Sequence, residues 1–501
     1  MPIPLEILAV DRPKNTKVYQ YGKSRTYYGV RERSGCKYID GRRVPLDGPT
    51  IGHIVMNEKK EWVYVPKQEQ QETCVSQSPT DLKDWANIVL CDNLCRDLLT
   101  DLLKFYCKED ALKIYCISVL RVCDQGIKDY ELQDAYRDSF LSELYPNVPL
   151  SKNTVSTFLE DVGRTYSRII AFMQDRVERV LKTDHLLIDG TLKSCESEVN
   201  SLSDYSRKAK TKGTRDISLL YCFDLDLKEP VCSKCFPGNM LDSTSYEGFI
   251  SEYQLTKGLI IGDKGFPHST AKEYFEAYPD LHYLNPLKRD SKYINEFDLF
   301  NFDGQLEGHE NILYKRVYVE KERKWLYSFK DTVMAHKEDY GCLHQTNKKR
   351  KEFSMTEYLD EARKFGTILI ESDLEMDPLT AYITYDSRWE IELVMRYYKQ
   401  ACEFDETREH NDYSVIGSEF CCFLSSVMTY RFINRFEEVG LFKRYGYKKI
   451  VKLLARAKKV KPPGKEWKAI RMNDSLIEVL QQLELLPKPA SKRRGRPKKI
   501  T

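Results

Sequence analysis

The spacing of apolar and polar residues divides the first part of the chain into two modules. Between residues 16 and 66, short alternating runs rich in Tyr are separated by Gly and Pro, and this pattern predicts a small β-rich module over 1–66. A polar stretch over 67–79 is typical of a linker. Apolar residues at helical spacing then predict a helical domain over 80–180.

The middle of the chain changes to strands that alternate with helices. Short apolar runs with turn signals at their ends predict an α/β layer fold over 181–285. Residues 286–364 are β-rich and strongly charged, which predicts a module inserted into that fold. A buried strand and a helix resume the fold over 365–435, and a basic region follows over 436–501. The predicted fold class is therefore α/β (α+β multidomain), with a mixed-sheet core interrupted by a β-rich insertion.

Composition excludes two broad classes of protein. Apolar residues make up 41% and charged residues 31% of the 501 residues, enough of both for packed cores under a solvated surface, so wholesale disorder is excluded. No stretch approaches the roughly 18 uninterrupted apolar residues of a membrane helix. The first residues lack the basic and long apolar parts of a secretory signal, and we expect a soluble cytoplasmic protein with no membrane partner.

The net charge of +3 averages over segments of opposite sign. Residues 442–501 contain 19 Lys and Arg against 4 acids, and residues 12–43 contain 10 against 2, which leaves the remainder at −20. A solvated Lys-rich surface would explain either cluster alone. Two basic ends around an acidic middle instead favour binding of a polyanion such as DNA.

The C-terminal tail carries a short motif that resembles an AT-hook. Its Gly-Arg-Pro core suits a narrow A·T-rich minor groove, because Gly495 permits close approach and Pro497 favours an extended backbone. A generic basic tail explains the same residues equally well. The predicted DNA-binding side chains of this tail are Arg494, Arg496 and Lys498.

Two acids follow short apolar runs in the predicted core. Asp189 and Asp263 each come after three apolar residues, and the ends of buried strands are where α/β folds expose reactive side chains. A single Asp in this context is usually a turn residue or a helix cap. Two of them are compatible with a divalent-metal site but do not by themselves select it over turns or caps.

A third carboxylate lies in a predicted helix with cationic neighbours. A helical pattern runs over 378–398. Tyr385, Arg388, Glu392 and Lys399 lie at offsets of 0, 3, 7 and 14, so an α-helix through them would place them on one face. Such a stripe suits a metal ligand beside a phosphodiester. Periodicity alone favours a solvated helix face with local ion pairs. Asp373, at the end of another predicted strand, is an alternative third ligand.

These motifs together resemble the DDE insertion-sequence transposases. The branch of that family defined by Tyr-x2-Arg-x3-Glu-x6-Lys is matched at all four positions, beginning at Tyr385. The contexts Leu-Ile-Asp-Gly-Thr and Ile-Gly-Asp-x-Gly-Phe around Asp189 and Asp263 also resemble those of the family. The resemblance is specific over roughly 180–435 and weak before it.

The resemblance implies a fold, a reaction and a cofactor. It implies an RNase H-like core in which Asp189, Asp263 and Glu392 hold two Mg²⁺ or Mn²⁺ ions per active site. The implied reaction is cut-and-paste transposition, in which nicking, hairpin formation and strand transfer excise and integrate an insertion sequence.

The resemblance also implies partners. Tyr385, Arg388 and Lys399 would bind the phosphates of the terminal DNA, and an aromatic residue of the insertion would stack on a flipped base. Trp325 is the candidate for that stacking, although no motif selects it and a core Trp is the commoner explanation. The expected partners are terminal inverted repeats and target DNA, bound by a synaptic homodimer in the nucleoid.

Two other functions remain compatible with the sequence. A catalytically inactive descendant would only bind DNA, although the presence of all three acids argues against that loss. A metal-dependent nuclease of the same fold would nick DNA without joining it.

Overall fold

The computed structural model divides the described chain into two compact units, one over 1–80 with 462–465 and one over 81–461 with 466–501. The described residues are 3–21, 27–39, 42–57, 61–66, 81–180, 185–195, 197–206, 213–240, 242–262, 271–349, 354–389, 406–407 and 409–487.

The first unit is a small antiparallel sheet. Its four strands pair in sequence order and form β1 (Thr16–Tyr21), β2 (Tyr27–Ile39), β3 (Arg42–Met56) and β4 (Trp62–Pro66), with a short helix α1 (Leu5–Leu8) before them. The alternation of apolar and polar residues places Val18, Val30 and Ile54 on one face, where they bury Ile7 of α1. The Tyr-rich alternating runs of the sequence therefore correspond to these strands.

The second unit contains a group of helices, a large sheet with further helices around it and a small sheet. The helices before the sheet are α2 (Ala86–Leu102), α3 (Lys108–Cys123), α4 (Leu132–Asp138), α5 (Leu141–Leu144), α6 (Lys152–Arg164) and α7 (Tyr166–Val180). The later helices are α8 (Asp242–Glu252), α9 (Lys272–Ala277), α10 (Tyr293–Glu296), α11 (Thr332–Lys349), α12 (Met355–Ala362), α13 (Pro378–Asp386), α14 (Asp412–Glu438), α15 (Tyr447–Leu454) and α16 (Asp474–Gln482).

The strands of this unit form one central sheet and one small sheet. Those of the central sheet are β6 (His185–Cys195), β7 (Asp204–Tyr205), β8 (Arg215–Asp224), β9 (Glu229–Pro237), β10 (Gly258–Ile261), β11 (Leu281–Leu287), β12 (Gly304–Leu306), β13 (His309–Val319), β14 (Lys324–Asp331), β15 (Thr367–Ser372) and β16 (Glu406–Thr407). The small sheet contains β5 (Asp81–Asp84), β17 (Lys458–Lys461) and β18 (Lys468–Ala469).

The middle of the central sheet has RNase H-like topology, as the family resemblance implies. Strands β6, β8 and β9 form an antiparallel meander, and β10 and β11 then run parallel to β6 on its other side. The spatial order is therefore β9-β8-β6-β10-β11, with α8 and α9 in the two connections that cross between parallel strands. The first strand of the meander lies at the centre of this arrangement.

The segment predicted as a β-rich insertion continues the same sheet. Strands β13 and β14 pair antiparallel, β14 pairs with β15, and β15 pairs with β11. The predicted boundary at residue 286 falls within β11, and the Lys- and Glu-rich part of the segment forms α11 and α12. The segment is thus mixed in structure, and its strands share backbone hydrogen bonds with the core.

Helix α14 packs closely against α6 through two glycines. A Cβ atom on Gly163 would lie 1.9 Å from the carbonyl oxygen of Tyr413, and one on Gly417 would lie 2.0 Å from that of Leu159. Because backbone atoms occupy these positions, only glycine permits this approach. The described helices, α14 included, do not combine the length and apolar character needed to span a membrane.

Candidate active site

Asp189 lies in the middle of β6, the central strand of the RNase H-like arrangement. Leu186, Leu187 and Ile188 before it are buried, whereas the Asp189 side chain is half-buried. Its Oδ1 accepts a hydrogen bond of 2.9 Å from the backbone N–H of Gly190. The expectation that the strand ends at Asp189 is wrong, because β6 continues to Cys195 through antiparallel pairing with β8.

The sheet opens beside Asp189 on the side of its parallel neighbour. Strand β10 pairs with β6 only as far as Ile261 opposite Leu187, and β10 ends there. On that side, the next described partner of β6 is β16, at Ser194. Asp263 follows Ile261 by two positions, as Asp189 follows Leu187, but Asp263 lies outside the described residues.

The register of the sheet determines which face Asp189 shares. Leu187 lies two positions before Asp189 on β6. Across the neighbouring strands it is followed, in one row, by the paired residues Ile261, Leu284, Ser372 and Trp325. Residues of one row point to the same face and side chains alternate along each strand, so Asp189 lies on the face that carries Trp325. Helix α13 covers this face, because Tyr382 packs against Phe329 with ring centroids 5.2 Å apart.

The predicted helix of 378–398 is interrupted within the described residues. Helix α13 starts after Asp377, whose Oδ1 accepts hydrogen bonds from the N–H groups of Leu379 and Thr380, and it ends at Asp386. Ser387 forms a turn and donates to the carbonyl oxygen of Thr384 at 2.6 Å. Residues 388 and 389 are helical again. The rest of the predicted helix, 390–398, lies outside the described residues, so a helix that carries Arg388, Glu392 and Lys399 on one face stays a prediction.

The break separates two of the predicted DNA-binding residues but leaves them neighbours. Tyr385 is 8% exposed and packs in the main core. The guanidinium carbon of Arg388 lies 5.5 Å from the centre of its ring and 5.7 Å from that of Trp389. Glu392 and Lys399 lie outside the described residues.

A comparison with protein families identifies this part of the chain. Residues 181–413 match the family model described as a transposase DDE domain. The chain carries a transposase DDE domain. The match spans the positions of all three predicted acids and runs from just before β6 to the start of α14. A domain of this family indicates a DNA-cleaving enzyme.

Solved structures of transposases resemble the chain at low sequence identity. The piggyBac transposase synaptic complex with hairpin DNA matches 75% of this chain and 82% of its own at 12% identity and a TM-score of 0.39. The Mos1 transposase paired-end complex with the left transposon end matches 31% of this chain and 58% of its own at 11% identity and a TM-score of 0.15. The comparison with curated proteins gave no match.

Two of the three acids that could hold metal ions in the DDE domain are outside the described residues. Within the part of the chain that is described, no group of three or more His, Cys, Asp or Glu could hold a metal ion. Asp189 fits such an ion, because its half-buried carboxylate supplies the hard oxygen ligands that Mg²⁺ prefers. DDE transposases generally use divalent metal ions.

Asp373 does not lie beside Asp189 in the DDE domain. Its Oδ1 accepts a 2.9 Å hydrogen bond from the N–H of Tyr283, and its Oδ2 lies 2.9 Å from Nδ1 of His282. Strands β11 and β10 separate it from β6, a distance of about 14 Å at the usual strand spacing. The alternative of Asp373 as third ligand therefore loses its geometric support.

Trp325 is half-buried and already has neighbours on its ring. The ring centre of Tyr318 lies 4.9 Å away, and the guanidinium carbon of Arg316 lies 4.4 Å from the centre of the indole. Arg316 also donates a 3.0 Å hydrogen bond to the carbonyl oxygen of Met376. Stacking of a base on Trp325 would require the guanidinium to move, and this role stays a prediction.

The predicted contacts of the AT-hook-like tail stay predictions as well. Arg494, Arg496 and Lys498 all lie outside the described residues, which end at residue 487.

A buried charged cluster follows Asp189 along the same strand and was missed by sequence reasoning. Lys193, four positions after Asp189, forms an ion pair with Glu419 of α14, and each side chain is 5% exposed. Arg121 of α3 joins the cluster and donates a 3.1 Å hydrogen bond to Oδ1 of Asp129. A lysine inside a buried strand is the signal that could have found it, because lysine is almost never buried without a partner.

Glu409 borders this cluster and should make stability depend on pH. Burial, reinforced by Asp129, raises the pKa of Glu409 to about 7, although Arg121 and Lys193 oppose the shift. A carboxyl whose pKa is raised on folding stabilises the fold below its ordinary value of 4.5, and that stabilisation is lost as the pH rises through about 7.

We therefore expect Glu409→Gln to raise the unfolding midpoint relative to the native chain at pH 8 and to change it little at pH 4.5. Thermal unfolding at both pH values measures the difference. Glu406→Gln, which removes an exposed carboxylate of the same segment, is the matched control. A difference between Glu409→Gln and the native chain that stays constant with pH would contradict the prediction.

Proposed function

We propose that this protein is a DNA transposase that excises and integrates an insertion sequence by nicking, hairpin formation and strand transfer. The observation that carries the proposal is the position of Asp189. It lies in the middle of the central strand of an RNase H-like sheet, inside the matched DDE domain, where the parallel neighbour has ended. If this position served only to pack the core, we would expect an apolar side chain there rather than a carboxylate.

In the proposed site, Asp189, Asp263 and Glu392 hold two Mg²⁺ or Mn²⁺ ions. When bound, the ions would activate water and stabilise the leaving oxygen of the cleaved phosphodiester. The equal offsets of Asp189 and Asp263 from the paired residues Leu187 and Ile261 support their convergence. The Gly190 N–H donates a hydrogen bond to Oδ1 of Asp189 and so helps to orient its carboxylate.

Arg388 and Lys399 would bind phosphate oxygens of the terminal DNA. A guanidinium suits this task because its donors match two phosphate oxygens at once. The burial of Tyr385 favours a supporting role, in which its ring positions Arg388 beside the acids. The proposed assembly is a homodimer that holds two terminal inverted repeats and the target DNA.

The products formed on the DNA of the element's own ends test the proposal. The native chain with Mg²⁺ is incubated with end-labelled duplexes taken from the genomic DNA that flanks the gene, both intact and pre-nicked at the terminus. We expect hairpin ends and strand-transfer products on a denaturing gel. Free ends without joining would indicate a nuclease, binding without cleavage would indicate an inactive descendant, and either result would overturn the proposal.

A further inference from the structure

The short helix α15, which follows the matched DDE domain, presents a cationic face. Tyr447, Ile450, Val451 and Leu454 are buried, whereas Lys448, Lys449 and Lys452 are exposed on the opposite side. Arg456, just beyond the helix, is exposed as well. Lys448 and Lys452 lie one turn apart, about 6 Å along the helix axis. Arg456 follows four residues later in the turn that ends the helix, and we call these three residues the stripe.

The cations of this stripe lack anionic partners among the described residues. No described carboxylate lies within ion-pair distance of Lys448, Lys452 or Arg456, whereas Arg435, Arg444 and Lys458 each have such a partner. Arg444 pairs with Glu478, and Lys458 pairs with Asp84 at 2.8 Å. The stripe therefore differs from the usual solvated surface, in which charges of both signs are mixed.

The segment around the stripe concentrates positive charge. Residues 441–473 contain 12 Lys and Arg and a single acid, Glu466, in a protein whose total net charge is only +3. Like charges held this close destabilise a compact fold through mutual repulsion. A bound polyanion would relieve that repulsion.

The stripe is held on a rigid part of the fold. Ile450, Val451 and Leu454 belong to the main core, and Tyr447 packs against Phe436 of α14 with ring centres 6.0 Å apart. The three cations therefore keep a fixed spacing, unlike those of a basic tail. A fixed row of exposed cations suits a regular row of phosphates on duplex DNA.

The adjoining β17 lysines have other roles. Lys459 lies over the rings of Trp85 and Phe140, at 4.5 and 4.9 Å from their centres, and burial lowers the pKa of its amine. Lys458 is neutralised by Asp84. Lys458 and Lys459 therefore add little free positive charge beside the α15 stripe.

We propose that Lys448, Lys452 and Arg456 form a sequence-independent binding surface for the phosphate backbone of duplex DNA. The surface deepens the proposed function, because it would hold DNA that the DDE domain processes. It needs neither the acids nor a metal ion. Binding and cleavage can therefore fail separately.

The test uses the full-length chain with Lys448, Lys452 and Arg456 all changed to Gln. Its affinity for a labelled duplex of arbitrary sequence is measured by fluorescence anisotropy at several salt concentrations with EDTA present, so that no cleavage occurs. We expect affinity to fall at least about 10-fold and the slope of log K against log salt to decrease by about 2.7, at about 0.9 per lost phosphate contact.

A matched variant controls for the loss of three charges. Arg164, Lys364 and Arg444 are each paired with a carboxylate, and changing all three to Gln removes the same charge. We expect less than about a 2-fold change in affinity and an unchanged slope for this control. Circular dichroism verifies the folding of both variants.

The proposed surface would be refuted by an unchanged slope of log K against log salt in the stripe variant, or by an equal decrease of that slope in the control. Neither result bears on the proposed function, which is judged by products formed with Mg²⁺. Conversely, the expected decrease in slope would support the surface even for a chain that cleaves no DNA.

Discussion

Asp189→Asn is expected to abolish strand cleavage while leaving DNA binding unchanged. The amide has the shape of the carboxylate and its oxygen can still accept the hydrogen bond from the N–H of Gly190. It lacks the negative charge that would hold a divalent cation. We expect cleavage to fall at least about 10³-fold, which corresponds to about 4 kcal/mol of transition-state stabilisation.

The measurement is the rate of cleavage of terminal DNA with Mg²⁺, beside the affinity measured in EDTA. Asp263→Asn and Glu392→Gln should behave alike, because all three acids act on the same cations. Asp373→Asn is the matched control in the same domain, and cleavage should persist because its carboxylate is held by His282 and Tyr283. Normal cleavage by Asp189→Asn or Glu392→Gln would refute the assignment of that acid.

Breaking the buried pair of Lys193 and Glu419 is expected to be the most destabilising single change outside the site. Each side chain is 5% exposed, so removing one partner would leave the other charged in the interior. Lys193→Met and Glu419→Leu should each lower the free energy of unfolding by about 3–5 kcal/mol. Denaturant unfolding followed by circular dichroism measures the loss.

The double variant distinguishes the pair from the packing around it. Replacing both charges with apolar side chains removes the cost of an isolated charge, so the combined loss should be smaller than either single loss. Arg164→Gln, which breaks the exposed pair with Glu160, is a control expected to cost less than about 1 kcal/mol. Additive losses in the double variant would contradict the interpretation.

The sequence predicted the existence of the core strands better than the residues at which strands and helices end. The apolar run before Asp189 indicated a buried strand, and β6 is one. The run did not reveal that β6 continues to Cys195, because its continuation depends on pairing with β8 rather than on local pattern. In the same way, helical spacing beyond Pro378 could not reveal the turn at Ser387.

Contacts between distant residues lay beyond the sequence. Lys193 and Glu419 are separated by 226 residues, and neither has a local motif that names the other. The inserted segment was predicted from its change of composition. Its connection to the core sheet is the pairing of β14 with β15, and backbone hydrogen bonds of this kind can form whatever the side chains are, so the sequence did not reveal it. Asp263, Glu392 and the tail stay predictions.

The continuous sheet has a mechanical consequence for the site. From β13 to β6 the strands are joined without interruption through β14, β15, β11 and β10, a span of about 24 Å at the usual spacing. Movement of the β13–β14 hairpin relative to the strand of Asp189 would require interstrand backbone hydrogen bonds to break. A molecule bound by that hairpin would therefore lie at a fixed distance from the carboxylate of Asp189.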